Sequence, residues 1–222
     1  MKHLILYSTI VGGFFSQSEA LDAAVSRARE EAGEDTWKRG FSGSARGGAT
    51  AIMRHHLEQG GILPMAMEGF LNYVSYRENI DGAGNHYPKL RIGLRADNDD
   101  QYTISLDLKT DVAQRLIVKL DNCLPGAWIR ISAWPSPVER DGRTFINHAA
   151  SIKDADGKEI AVNSVFSTKV KEECNKVDEA LRAVGVSDKK VIATAKANKR
   201  IACHKELLLK IKSVYVQEPE CA

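Results

Sequence analysis

The sequence predicts an α+β protein, a five-stranded β-barrel with N-terminal and C-terminal helical additions. Three observations lead there. Apolar residues recur every second position over most of residues 69–163, whereas they follow a helical period before and after. Turn-forming clusters (IDGAGN, DNDD, Pro-Gly, Asp-Gly) separate the alternating runs. The chain of 222 residues, 43% hydrophobic and 27% charged, is long enough to bury a core without disulfide or metal staples.

The elements follow in order. MKHLILYSTIVGGFF reads as a buried N-terminal strand. A secretory signal is the competing reading, but Tyr7, Ser8 and Thr9 interrupt the apolar run and no A-x-A site follows. Residues 18–33 predict a helix, with Ser18 as N-cap, acids in the first turn, Leu21, Val25 and Ala28 on one side and Gly33 at the end. Residues 34–50, rich in glycine, serine and arginine, predict a loop, and a short helix over 50–59 ends at Gly60-Gly61. Three half-buried antiparallel strands come next. Leu71, Tyr73 and Ser75 alternate with Phe70, Val74 and Tyr76 in the first. Leu90, Ile92, Leu94 and Ala96 face in and Lys89, Arg91 and Arg95 face out in the second. Tyr102, Ile104, Leu106 and Leu108 face in on the third.

TDVAQRLIVKLDNC is a helix capped by Thr110 or Asp111, with Val112, Leu116, Ile117 and Leu120 on its apolar face. AWIRISAW is a fourth strand, with Ile129 and Ile131 inward and Trp128, Arg130 and Trp134 outward. PSPVERDGR predicts a long hairpin loop, TFINHAASI a fifth strand and EIAV a short sixth. Strand, strand, strand, helix, strand, strand is the element order of an OB-like barrel. Two helices over 167–184 and 188–215, joined at Gly185, complete the chain. The resulting segments are 1–68 (strand, helix and Gly-rich loop), 69–163 (barrel) and 164–222 (basic helical hairpin).

Charge is distributed unevenly. The net charge is +2 overall, yet residues 164–216 carry 12 Lys and Arg against 6 Asp and Glu. A polyanionic partner for that region and a solvated basic helix face are equally consistent with this excess. The four cysteines (Cys123, Cys174, Cys203, Cys221) form no C-x-x-C pair, which fits thiols of a reducing compartment and excludes a zinc ribbon. His55-His56-x-Glu58 lacks the H-E-x-x-H spacing and no G-x-S-x-G occurs, so a hydrolase is not indicated. No metal or other cofactor is implied.

Ligands of such barrels lie across the outer face and the flanking loops. There the sequence offers Arg91, Arg95, Trp128, Arg130 and Trp134: rings to stack on bases and guanidinium groups to pair with phosphates. The blander reading sets the tryptophans under the terminal helices. Trp37, Lys38, Arg39, Phe41 and Arg46 repeat the same chemistry in the Gly-rich loop, whose plainer role is a linker anchored by Trp37. In the last helix Lys196, Lys199 and Arg200 fall on one arc. Gly185-Val186-Ser187-x-x-x-Val191 is similar to a helix-turn-helix turn, although Leu181 stands where a small residue is usual.

In element order and face chemistry, residues 69–163 resemble OB-fold single-stranded DNA-binding proteins. With its helical additions the chain looks most like the divergent versions encoded by bacteriophages. The stretch WIRISAWPSPVERDGRTFINHAASIKDADGKEI, residues 128–160, carries the resemblance. It implies sequence-independent binding of single-stranded DNA in DNA replication or recombination, in the (host) cytoplasm. The implied partners are single-stranded DNA, a second copy of the chain and replication or recombination proteins, with no membrane. Such proteins often end in an acidic partner-recruiting tail; here the tail is QEPECA. A duplex-binding regulator using the last two helices and a protein-binding inhibitor module are the alternatives.

Overall fold

The computed structural model describes residues 1–215, with Arg140 and Arg143 described by backbone alone; Cys221 and the QEPECA tail lie outside the described residues. The protein is α+β, with a curled, mixed seven-stranded sheet forming a half-barrel and five helices among the described residues. The strands are β1 (Lys2–Ser8), β2 (Gly13–Ser16), β3 (Met67–Ile80), β4 (His86–Arg95), β5 (Gln101–Asp107), β6 (Trp128–Arg140) and β7 (Arg143–Asp154). The helices are α1 (Glu19–Lys38), α2 (Ala49–Gln59), α3 (Asp111–Leu120), α4 (Ser164–Ala183) and α5 (Lys189–Lys212).

The expected five-stranded barrel is corrected to seven strands in the order β2-β1-β5-β4-β3-β6-β7. The three-strand meander, helix and hairpin are present as β3-β4-β5, α3 and β6-β7. The difference lies at the free edge of β5. There β1 pairs parallel, from Lys2 opposite Gln101 to Leu6 opposite Ser105, and β2 folds back on β1. The sheet therefore also crosses the expected segment boundary at 68. The third segment shares the main core through Leu207, Leu208 and Ile211 of α5.

Alternation sets the two faces. Ile5, Leu90, Ile92, Leu94, Ile104, Ile129, Ile131 and Ile152 are buried on the concave face. There they meet the apolar side of α3, where Val112, Leu116, Ile117 and Leu120 are fully buried, and the C-terminal half of α5. Each such side chain contributes roughly 1.5–3 kcal/mol by leaving water. α3 starts where Thr110 accepts a hydrogen bond from the Ala113 amide. A second, smaller core lies under α1 and α2, built on Phe15, Leu21, Ala24, Ala28, Met53 and Leu57.

Three local expectations also change. α1 does not end at Gly33, which adopts φ 73° as a kink, and the helix resumes through Lys38. Trp37 and Lys38 are thus helical, and the loop shrinks to 39–48. PSPVER is strand: β6 runs to Arg140 and only Asp141-Gly142 turns. Pro135 and Pro137, two residues apart, direct their missing N–H to one edge, the edge of β6 that β3 leaves uncovered beyond Ile131. EIAV forms a single bridge between Lys153 and Glu159 rather than a strand.

The curl brings the sheet's two ends together. The Tyr7 hydroxyl of β1 and Nδ1 of His148 on β7 share a 2.8 Å hydrogen bond. Gly12, at φ 76°, lies so close to Pro135 that a Cβ would stand 2.4 Å from its ring. On the convex face Tyr73 lies flat over Gly93 to reach the Thr103 hydroxyl at 2.6 Å. A Cβ on residue 93 would stand 2.1 Å from the Tyr73 ring. Gly93→Ala is therefore expected to destabilise the fold by about 1–3 kcal/mol through overpacking. A thermal melt measures this at about 2–4 °C per kcal/mol for a chain this size, and an unchanged melting point would mean that the ring is not held there.

Candidate functional site

The convex face is built from the strand registers. One cross-strand row sets Arg95 beside Phe70 and Phe70 beside Trp128. The next sets Glu68 beside Arg130 and Arg130 beside Lys153. The Arg95 guanidinium lies 5.3 Å from the Phe70 ring centroid, and Arg130 lies 5.8 Å from that of Trp128, both in cation–π range. Arg130 also donates to Glu68 at 2.6 Å, while Arg95 donates to Asp99 at 3.1 Å. Arg77 and Lys89 continue the basic character toward the β3–β4 turn, with Lys89 3.6 Å from Asp107. Arg91 is half-buried opposite Ser105 and Ser75.

Trp128 is half-buried, and its surroundings are Glu68, Ala96, Asp97, Asn98 and Tyr102 at the rim of the sheet, not the terminal helices. Trp134 lies farther along β6, on the same face, and is 45% exposed. Beyond it on β7, opposite Val138, Phe145 is 50% exposed. Alternation puts both rings on one side of the hairpin. Trp134 is level with Ala149, four residues from Phe145, a separation of roughly 13 Å along the strands. Both rings face solvent on the part of the hairpin that β3 leaves uncovered, where a ligand can reach them. Sequence reading missed Phe145 and Lys153, because treating PSPVER as a loop left the register of β7 against β6 undefined. The alternation of TFINHAASI about the buried Ile152 was the available signal.

The Gly-rich loop is pinned. The Ser42 amide donates to the Thr50 hydroxyl, the Thr50 amide donates to the Ser42 hydroxyl, and the Thr50 hydroxyl donates to the Ile10 carbonyl. Trp37 packs against the second core, as an anchor would, and Phe41 is half-buried. Lys38 sits 3.6 Å from Glu34, while Arg39 and Arg46 are exposed.

The basic arc of the last helix changes most. α4 and α5 form an antiparallel hairpin around Val170, Cys174 and Cys203. Lys196 pairs with Asp178 at 3.1 Å and Lys199 with Glu173 at 2.9 Å, both across the hairpin. Hydrogen bonds from Lys176 and Lys199 hold the Glu173 carboxyl down to about 2. Lys196 and Lys199 are thus turned toward α4 and partly neutralised, whereas Arg200 stays exposed and outside those pairs. His56 pairs with Glu31 at 2.8 Å, tying α2 to α1. Among the described residues no group of three His, Cys, Asp or Glu is arranged to hold a metal, and no helix is long and apolar enough to cross a membrane.

Set against protein-family models, curated proteins and solved structures, the chain gives no significant match.

Burial lowers the pKa of His148 and of His204. In the folded protein both take up a proton at lower pH than in the unfolded chain, where the ordinary value is about 6.5. The unfolded state then binds more protons below that pH, so their contribution is intact above about 6.5 and is lost as pH falls. Melting temperature is expected to drop between about pH 6.5 and 5, before the carboxylates titrate. His148→Gln should shallow that drop, and a flat profile would contradict a buried neutral histidine.

Proposed function

We propose that the protein binds single-stranded DNA without sequence preference, along the convex face and the β6–β7 hairpin. The observation that supports this most is the pair of exposed rings, Trp134 and Phe145, on the same side of the hairpin as Arg130 and Lys153. Rings stack on any base and cations follow the phosphates, so affinity without readout of sequence is the natural result. The element order β3-β4-β5-α3-β6-β7 is that of an OB-like barrel, in which this face and the loop between the last two strands are the usual ligand surface. A role in DNA replication or recombination, in a cytoplasmic setting, belongs to the same proposal. The protein is read as a non-enzymatic coat for the strand.

A duplex-reading role for α4 and α5 has less behind it, because Lys196 and Lys199 are half-buried in ion pairs across the hairpin, whereas Arg95 and Arg130, though paired with Asp99 and Glu68, are exposed. Titration with matched single-stranded and duplex oligonucleotides at two salt concentrations separates the readings. Preference for the single strand is expected; equal affinity for duplex, or no salt-sensitive binding, would overturn the proposal. Trp134→Ala and Phe145→Ala should each cost ~1–3 kcal/mol of binding, with little loss of stability because exposed rings leave no cavity.

Salt dependence assigns the cations. Removing one phosphate contact from a single-strand complex lowers the slope of log affinity against log salt by about 0.7. The double variant Arg95→Ala/Arg130→Ala is expected to show that loss twice, and Lys196→Ala/Lys199→Ala to leave the slope unchanged. The reverse pattern would move the interface to the last helix.

A further inference from the structure

Away from the convex face, α3, α4 and α5 meet the inner side of β7 around a cleft of about 410 Å³. Arg115, Lys171 and Arg200 line it, one from each helix. None has a carboxylate partner among the described residues. Lys119 also reaches the cleft but is occupied, donating to Glu159 at 2.5 Å and to the Ile160 carbonyl at 3.1 Å. Asp111 is the only carboxylate of the lining among the described residues. The cleft therefore carries an uncompensated excess of cations drawn from three separate elements.

A second observation concerns hydrogen bonding. His204 lines the same cleft and is only 6% exposed. Its Nδ1 lies 2.8 Å from the Arg200 carbonyl. A carbonyl can only accept, so Nδ1 carries the proton and Nε2 of the neutral ring holds a lone pair. Burial keeps the ring neutral. Nε2 has no partner among the described residues. That acceptor is open to the cleft, where a ligand's donor can reach it. The walls beside it are apolar: Phe166, whose ring meets His204 edge-on at 5.2 Å, with Val118 and Val170.

We propose that this cleft binds a phosphomonoester joined to a planar, hydrogen-bond-donating group, the chemistry of a nucleoside 5′-phosphate. The dianionic phosphate answers Arg115, Lys171 and Arg200. A hydroxyl or amine of the ligand donates to His204 Nε2, and its flat face covers Phe166 and the valines. The volume falls within the range of small-molecule sites, about 300–1,000 Å³. The ligand source is either a free nucleotide or the phosphorylated 5′ end of a strand. This site is independent of the convex face and does not rest on the reading of that face.

The test is calorimetric titration of the full chain with adenosine 5′-monophosphate and with adenosine. The monophosphate is expected to bind, with adenosine weaker by at least about tenfold. Arg115→Ala/Arg200→Ala, both changes at exposed positions, should weaken the monophosphate by a similar factor, whereas Arg54→Ala, at an exposed position of α2 outside both surfaces, should leave it unchanged. No binding, or equal binding by the double variant, overturns the proposal. Competition with short oligothymidylates identifies the source. Displacement by the 5′-phosphorylated strand but not the 5′-hydroxyl strand marks a strand-end site, and displacement by neither marks a free-nucleotide site. Equal displacement by both means a general polyanion surface and overturns the proposal. Failure of single-strand binding elsewhere would leave the nucleotide result untouched.

Discussion

The parallel pairing of β1 with β5 is the constraint on which the rest of the architecture depends. A meander followed by a helix and a hairpin would close on itself only if β7 reached the free edge of β5. β1 occupies that edge over Lys2–Leu6, and β2 then caps it. Closure is left to side chains rather than to a strand ladder: Tyr7 meets His148, and Gly12 lies against Pro135. The concave side is consequently filled by α3 and α5 instead of by barrel side chains alone. The outer half of the β6–β7 hairpin is left without a neighbouring strand on β6, and its rings face solvent.

The same constraint separates two chemically different surfaces. On the convex face, cations alternate with rings because the ladders put Arg95, Phe70 and Trp128 in one row and Arg130 and Lys153 in the next. On the far side, the helices that plug the open half-barrel leave a cleft between them, with basic residues at its rim and a buried histidine in its wall. The last two helices pack on each other and on the sheet. α5 drives Leu207, Leu208 and Ile211 into the core, and its Lys196 and Lys199 pair with carboxylates of α4.

Much of this was legible in the sequence, for identifiable reasons. Strict alternation in KLRIGLRA and QYTISLDL fixed β4 and β5 and their buried sides, and Thr110 with its apolar stripe fixed α3. What was not legible depended on tertiary pairing. GFFS is too short to announce a strand and becomes β2 only because β1 offers an edge. Proline-rich PSPVER reads as loop until a partner on one side alone makes it strand. Gly33 reads as a helix end, but the core contacts of Trp37 favour resumption of the helix. On the candidate site, Trp128, Trp134, Arg95 and Arg130 were found from alternation. Phe145 was hidden by the misread hairpin. The arc of Lys196 and Lys199 misled because helical period says which side a residue takes, not which carboxylate waits there.

The central claim is that the convex face and the β6–β7 hairpin form the contact surface for a single strand. Backbone amide chemical shifts followed by NMR during titration with a short oligothymidylate test it residue by residue. The account predicts shifts concentrated on β6 and β7 about Trp134, Phe145 and Lys153 and on the Arg95–Phe70–Trp128 row, with α4 and the first half of α5 unmoved. Shifts confined to α4 and α5, with the hairpin silent, would contradict it.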